Sequence, residues 1–127
     1  MHNKQTVLIA DDDLSIRNML ADELEASYEV LVAKDGIDAI CIYERNVQRV
    51  RAIITDLQMP RLDGELVAEW VHHINPRLPV IIMSGSLRNL ELQELLKNPT
   101  ITFLAKPFNP RQLEALLDVA LERLEAA

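Results

Sequence analysis

The chain has 127 residues, 49% of them hydrophobic and 26% charged, and a formal net charge of −7. This length suits one domain with a sizeable core, and the composition is ordinary for a globular protein in water. The acidic balance argues against direct binding to a nucleic-acid backbone, a single cysteine rules out an intramolecular disulfide and a cysteine-based metal site, and no apolar run reaches the length needed to span a bilayer.

Thr6–Ala10 (TVLIA) reads as a strand, with Asp11, Asp12 and Asp13 at its carboxyl end. Its apolar part is too short for a signal-peptide core and no cleavage pattern follows it, so a cytoplasmic location is expected. Leu14–Ala26 has apolar residues at 16, 19, 20 and 24, a helical spacing. Glu29–Ala33 is a second strand. Gly36–Arg45, apolar at 37, 40 and 41, is a short helix in which Cys41 is expected to serve as a small core residue. Ala52–Asp56 is the third strand, and Met59-Pro60 and Asp63-Gly64 punctuate the turn after it. Asp63–Ile74, apolar at 66, 67, 70, 71 and 74, predicts a strongly amphipathic helix with Trp70 in the core. Val80–Met83 is a fourth strand ending in Ser84-Gly85-Ser86, with Met83 expected in the core. A leucine-rich helix over Leu87–Lys97 stops near Asn98-Pro99, and Ile101–Ala105 is a fifth strand followed by Lys106-Pro107-Phe108. Asn109 reads as an N-cap and Pro110 as the first residue of a last helix, whose buried face carries 113, 116, 117, 120, 121 and 124.

Strict alternation of strand and helix, with strands apolar on both faces, predicts an α/β fold: a parallel sheet covered by helices on both sides. The architecture expected is a single-domain (βα)5 three-layer sandwich over residues 1–127, with no linker and no output domain. In a parallel sheet all carboxyl ends lie on one edge. Asp11 and Asp12 then follow the first strand, Asp56 the third, Ser84 the fourth and Lys106 the fifth. With strand order 2-1-3-4-5 the first and third strands are neighbours at the topological switch point, where open α/β sheets bind ligands.

Three converging carboxylates repel one another and call for a counter-charge. Mg²⁺ answers this, because it takes oxygen ligands and works beside phosphate oxygens. Lys106 adds a point charge suited to a phosphoryl oxygen, and Ser84 adds a hydroxyl donor. A carboxylate nucleophile, a cation, a lysine and a hydroxyl are the parts of phosphoryl transfer, so Asp56 reads as a nucleophile that accepts a phosphoryl group.

The blocks ADDD at 10–13, TDLQMPRLDG at 55–64, MSG at 83–85 and FLAKPF at 103–108 resemble those of the receiver domain of bacterial two-component response regulators, over Thr6 to about Leu124. The resemblance implies a flavodoxin-like fold and Asp56 as phosphoacceptor. It implies Mg²⁺ held by the side chains of Asp12 and Asp56, by Asp11 through water and by the backbone carbonyl of Gln58. Ser84 would be the switch hydroxyl, Phe103 the aromatic that reorients with it, and Lys106 the phosphate-contacting lysine. The partners implied are a histidine kinase or histidine phosphotransfer protein and a downstream protein effector, with the chain a monomer or a phosphorylation-linked dimer and not an enzyme beyond its own phosphorylation and dephosphorylation. A cis bond before Pro107 is common in the family. Gly85 replaces the usual Ala, which would open the pocket or loosen the loop, and Asn98-Pro99-Thr100 replaces the common Gly-Ala pair.

Plainer readings stand beside these. Asp11–Asp13 could be helix-capping acids, Asp13 above all; Ser84 could be a turn residue, Lys106 a solvated lysine and Phe103 plain core. His72 and His73 are adjacent in a helix and do not share a face, so they read as surface residues. Three other function classes compete. An aspartyl-phosphate-forming phosphatase would want a second acid where Gln58 stands, and a substrate cap. A nucleotide- or flavin-binding domain would want a glycine-rich loop after the first strand. A degenerate receiver acting only as an interaction module would lack some of these site residues.

Overall fold

A computed structural model of the chain describes residues 4–85, 93–94 and 97–126. Among them the order is β1 (Gln5–Ala10), α1 (Leu14–Leu24), β2 (Tyr28–Ala33), α2 (Gly36–Arg45), β3 (Val50–Asp56), α3 (Gly64–Ile74), β4 (Val80–Ser84), β5 (Ile101–Ala105) and α4 (Pro110–Ala126). The expected helix over Leu87–Lys97 falls almost wholly outside the described residues.

The five strands form one parallel sheet in the order β2-β1-β3-β4-β5. The register aligns the carboxyl ends: Ala10 pairs with Ala33 and Thr55, Asp56 with Met83, and Ser84 with Ala105. Two apolar layers flank the sheet. Leu8, Ile53 and Ile82 pack with Ala39 and Tyr43 of α2 and with Val67 and Val71 of α3. Ile9, Ile54 and Met83 pack with Leu20 and Leu24 of α1 and with Leu113, Leu117 and Leu121 of α4. This is the three-layer α/β sandwich that the alternating pattern predicts. None of the described helices is long and apolar enough to cross a membrane.

Local chemistry explains the helix starts. Asp13 caps α1 by accepting from the Ser15 and Ile16 N–H groups at 2.8 and 3.2 Å. Asn109 accepts from the Arg111 N–H at 2.9 Å while the Gln112 side chain accepts from the Asn109 N–H at 2.8 Å, a reciprocal capping box around Pro110.

Several boundaries and burials differ from expectation. β3 begins at Val50 rather than Ala52, because Val50 pairs with Thr6 ahead of a register shift between Thr6 and Val7. α1 ends at Leu24 rather than Ala26, where the Ser27 N–H turns back to the Leu24 carbonyl at 3.0 Å. Trp70 is not core. It is 50% exposed, because the sheet takes the stripe Val67, Ala68 and Val71, and the apolar arc of α3 is wider than that footprint. Cys41 is likewise exposed, since α2 buries Ala39, Ile40 and Tyr43 instead. Met19 is 45% exposed beside the buried Leu20.

His73 is exposed as expected, but His72 is half-buried. Its Nε2 lies 2.8 Å from the Leu78 carbonyl oxygen and its Nδ1 lies 3.2 Å from Asn98 Nδ2. Asn98 Oδ1 in turn accepts from the Thr100 N–H at 2.9 Å and the Thr100 hydroxyl at 2.8 Å. These bonds define the turn Asn98-Pro99-Thr100 that leads into β5.

Candidate functional site

The site grows from the strand ends. β1 and β3 are neighbours, so Asp11, Asp12 and Asp56 converge, and ligand oxygens of the three carboxylates lie within 4.8 Å of one another. β5 brings in Lys106, whose Nζ donates to Asp56 Oδ1 at 3.1 Å. The backbone holds the lysine in place, because the Lys106 N–H donates to the Ser84 carbonyl at 2.8 Å. The Lys106–Pro107 peptide bond is cis.

The three acids differ in environment. Asp11 is fully buried and Asp56 is 9% exposed, whereas Asp12 faces solvent. Asp11 Oδ1 accepts from the Asp13 N–H at 2.9 Å. Asp11 Oδ2 is buried and accepts no hydrogen bond among the described residues. Burial raises the Asp11 pKa above its ordinary value. The Asp13 N–H works against this rise, and the charge of Asp56 adds to it. A buried, partnerless carboxylate oxygen facing two more carboxylates is costly unless a cation or proton meets it. Asp13 points away and serves as the α1 cap, the plainer of its two readings.

Ser84 is buried at the end of β4, between the strands that carry Asp56 and Lys106. Phe103 lies deeper in the sheet, opposite Ile82, half-buried against the α2–α3 layer. Gln58 is exposed in the loop after β3. Among the described residues, a Cβ built on Gly85 meets no atom within 4 Å, so none of them stands in the way of an Ala there.

Other supports have no motif in the sequence. Arg17 Nη1 donates to the Asp11 carbonyl at 2.9 Å, bracing the first aspartate loop from α1. Arg61 takes the left-handed φ of 72°, and the Leu62 N–H closes a tight turn on the Pro60 carbonyl at 2.9 Å. Such a backbone costs about 1–3 kcal/mol for a non-glycine residue. Arg61 Nε lies 3.6 Å from Oδ2 of the buried Asp35, tying the β3–α3 loop to the start of α2. Spacing gives no hint of this pair, because the two residues meet only once the sheet has formed.

A groove of about 1210 Å³ lies at the opposite edge of the sheet, lined by Lys4, Glu29, Arg49 and others of mixed charge. Its size does not make it the site, because its lining contains none of Asp11, Asp12, Asp56, Ser84 and Lys106. Beside Lys106 lies a smaller apolar groove of about 370 Å³, lined by Ile16, Met19, Lys106, Pro107 and Phe108.

Residues 7–118 match the family profile described as the response regulator receiver domain. The chain is 31% identical over 124 residues to the probable transcriptional regulator ycf27 of Cyanophora paradoxa, covering 97% of this chain and 51% of that protein. It spans about half the length of the curated relatives it matches. Among solved structures, a response regulator receiver domain protein from Clostridium thermocellum superposes with a TM-score of 0.87 at 27% identity, covering 96% of this chain and 98% of the other. The chemotaxis response regulator CheY4 of Vibrio cholerae superposes with a TM-score of 0.81 at 30% identity, covering 93% and 99%.

Proposed function

This chain belongs to the response regulator receiver domain family, and from that premise we propose that Asp56 accepts a phosphoryl group from a histidine kinase or histidine phosphotransfer protein in an Mg²⁺-dependent reaction. The observation that carries the reading is the convergence of Asp11, Asp12 and Asp56 within 4.8 Å with Lys106 on Asp56. Asp56 is the acid that the lysine touches, and it ends a central strand, which favours it as nucleophile over its two neighbours.

The donor set fits Mg²⁺. All three groups are hard oxygen donors, and Asp11 Oδ2 lacks any other partner among the described residues. The side chains of Asp12 and Asp56 would hold the ion, with Asp11 acting through water and Gln58 through its backbone carbonyl. The cation supplies charge neutralisation for the carboxylates and the incoming phosphoryl oxygens. Lys106 then releases its bond to the Asp56 carboxylate and donates to a phosphoryl oxygen instead. Ser84 offers a hydroxyl to another. Phe103 repacks as Ser84 moves, which turns the covalent mark into a shift between two packings. The apolar groove beside Lys106 suits docking of the phosphodonor, and this accounts for the exposure of Met19. A protein effector reads the switched state. The chain's catalysis is confined to its own phosphorylation and dephosphorylation.

The deciding experiment is a mass-shift assay with a small-molecule phosphodonor, with Mg²⁺ and with a chelator. We expect one phosphoryl group to be gained only with Mg²⁺ and to be lost at alkaline pH, as an acyl phosphate is. Equal uptake with chelator, or an adduct stable to alkali, would overturn the reading.

The cation set has its own test. Asp12→Ala should abolish the Mg²⁺-linked rise in melting temperature while leaving the metal-free melt near the parent's, because Asp12 is exposed. Asp13→Ala should do the reverse: it removes the α1 cap, costing about 1 kcal/mol, and keeps the Mg²⁺-linked rise. Equal Mg²⁺ responses from the two variants would show that the ligand pair is wrongly chosen.

A further inference from the structure

α3 carries an apolar stripe on the side turned from the sheet: Leu66 is 45% exposed, Trp70 50% and Ile74 44%. The three residues are four apart and so lie one above another on one helix face. Glu69 and His73, both exposed, run along one flank of the stripe. We propose that this face is a self-association surface, on which a second copy of the chain lays its own α3 antiparallel across a two-fold axis through Trp70.

The argument for a second copy is the symmetry of the pattern. Leu66 and Ile74 lie equally far on either side of Trp70, so antiparallel pairing sets Leu66 against the partner's Ile74, twice, and stacks Trp70 on the partner's Trp70. The same pairing brings Glu69 toward the partner's His73, a carboxylate acceptor facing an imidazole N–H donor, again twice. An isologous two-fold contact needs such self-complementarity, and a foreign partner would not. At half exposure each of these side chains offers on the order of 100 Å², against the roughly 800 Å² per partner of a standard stable interface. The dimer is therefore weak and reversible, and it adds nothing to the phosphoryl site. Both copies carry a net charge of −7, so salt strengthens the contact by screening their repulsion; a basic partner helix on the same face would be weakened by salt.

Sedimentation velocity and fluorescence on the full chain test this at concentrations up to about 1 mM, where weak contacts populate. Trp70 is the sole tryptophan, so emission reports the centre of the contact. The parent should show a sedimentation coefficient that rises with concentration and with salt, together with a blue shift in emission. Trp70→Glu should remove the rise, whereas Val119→Glu, at a 45% exposed position on α4, should keep it. In a Cys41→Ser background, Trp70→Cys should oxidise to a covalent dimer well ahead of Val119→Cys. A parent monomeric throughout, association that weakens with salt, association unchanged in Trp70→Glu, or equal cross-linking at 70 and 119 would each overturn the proposal.

Discussion

Asp56→Asn is expected to bring phosphoryl uptake down to background, a fall of roughly 10³-fold or more, or about 4 kcal/mol in barrier. The amide that replaces the carboxylate is close in shape but is not a nucleophile at the oxygen that Lys106 faces. Neither neighbour can take over. Asp11 is fully buried and held by the Asp13 N–H, and Asp12 has no lysine beside it among the contacts described. The variant should fold and melt close to the parent, because two effects oppose. It removes one of three crowded negative charges, and it breaks the 3.1 Å pair with Lys106, a pair partly open to water. Loss of the Asp56 charge also removes one of the causes that raise the Asp11 pKa, so Asp11 ionises at lower pH in the variant. The measurement is the mass-shift assay run on parent and variant side by side. Uptake by the variant at the parent's rate would move the phosphoacceptor elsewhere.

Gly64→Ala should produce a large loss of stability from a single added methyl. A Cβ on Gly64 would stand 2.2 Å from the Asp56 carbonyl oxygen and 3.1 Å from its carbonyl carbon. Both are backbone atoms at the end of a central strand, so no side chain can swing aside. The Gly64 N–H also donates to the Leu57 carbonyl at 2.8 Å, which pins the first turn of α3 against the loop. Room for the methyl therefore requires α3 to withdraw from β3, at a cost of about 3 kcal/mol and roughly 10 °C in melting temperature. Because the displaced carbonyl belongs to Asp56, Mg²⁺-linked stabilisation should fall as well. Gly85→Ala is the matched control: its Cβ meets nothing within 4 Å among the described residues, and its effect should stay within about 0.5 kcal/mol. Calorimetric melts of the two variants decide the point, and equal melting temperatures would show that the close approach at Gly64 relaxes freely.

Much of the molecule was determined by the sequence alone. Strand and helix have different apolar periods, and those periods are local, so the alternation of elements, the parallel sheet and the strand ends at Asp11, Asp56, Ser84 and Lys106 could be read along the chain. Once all carboxyl ends share one edge, the composition of the site follows without coordinates. Asn109-Pro110 announced its helix for the same reason: capping is an affair of adjacent residues.

What needed the tertiary structure was everything that depends on which surface an element meets. Trp70 and Val71 look alike in the helical pattern of α3, but only the sheet's narrow footprint sends one to water and the other to the core. Asp11 and Asp12 are the same residue type side by side, and packing alone buries the first and exposes the second. His72 pairs with Asn98, and Arg61 with Asp35, across stretches of chain that no local spacing connects. Periodicity records how much apolar surface an element has, whereas burial depends on how much its neighbours can cover.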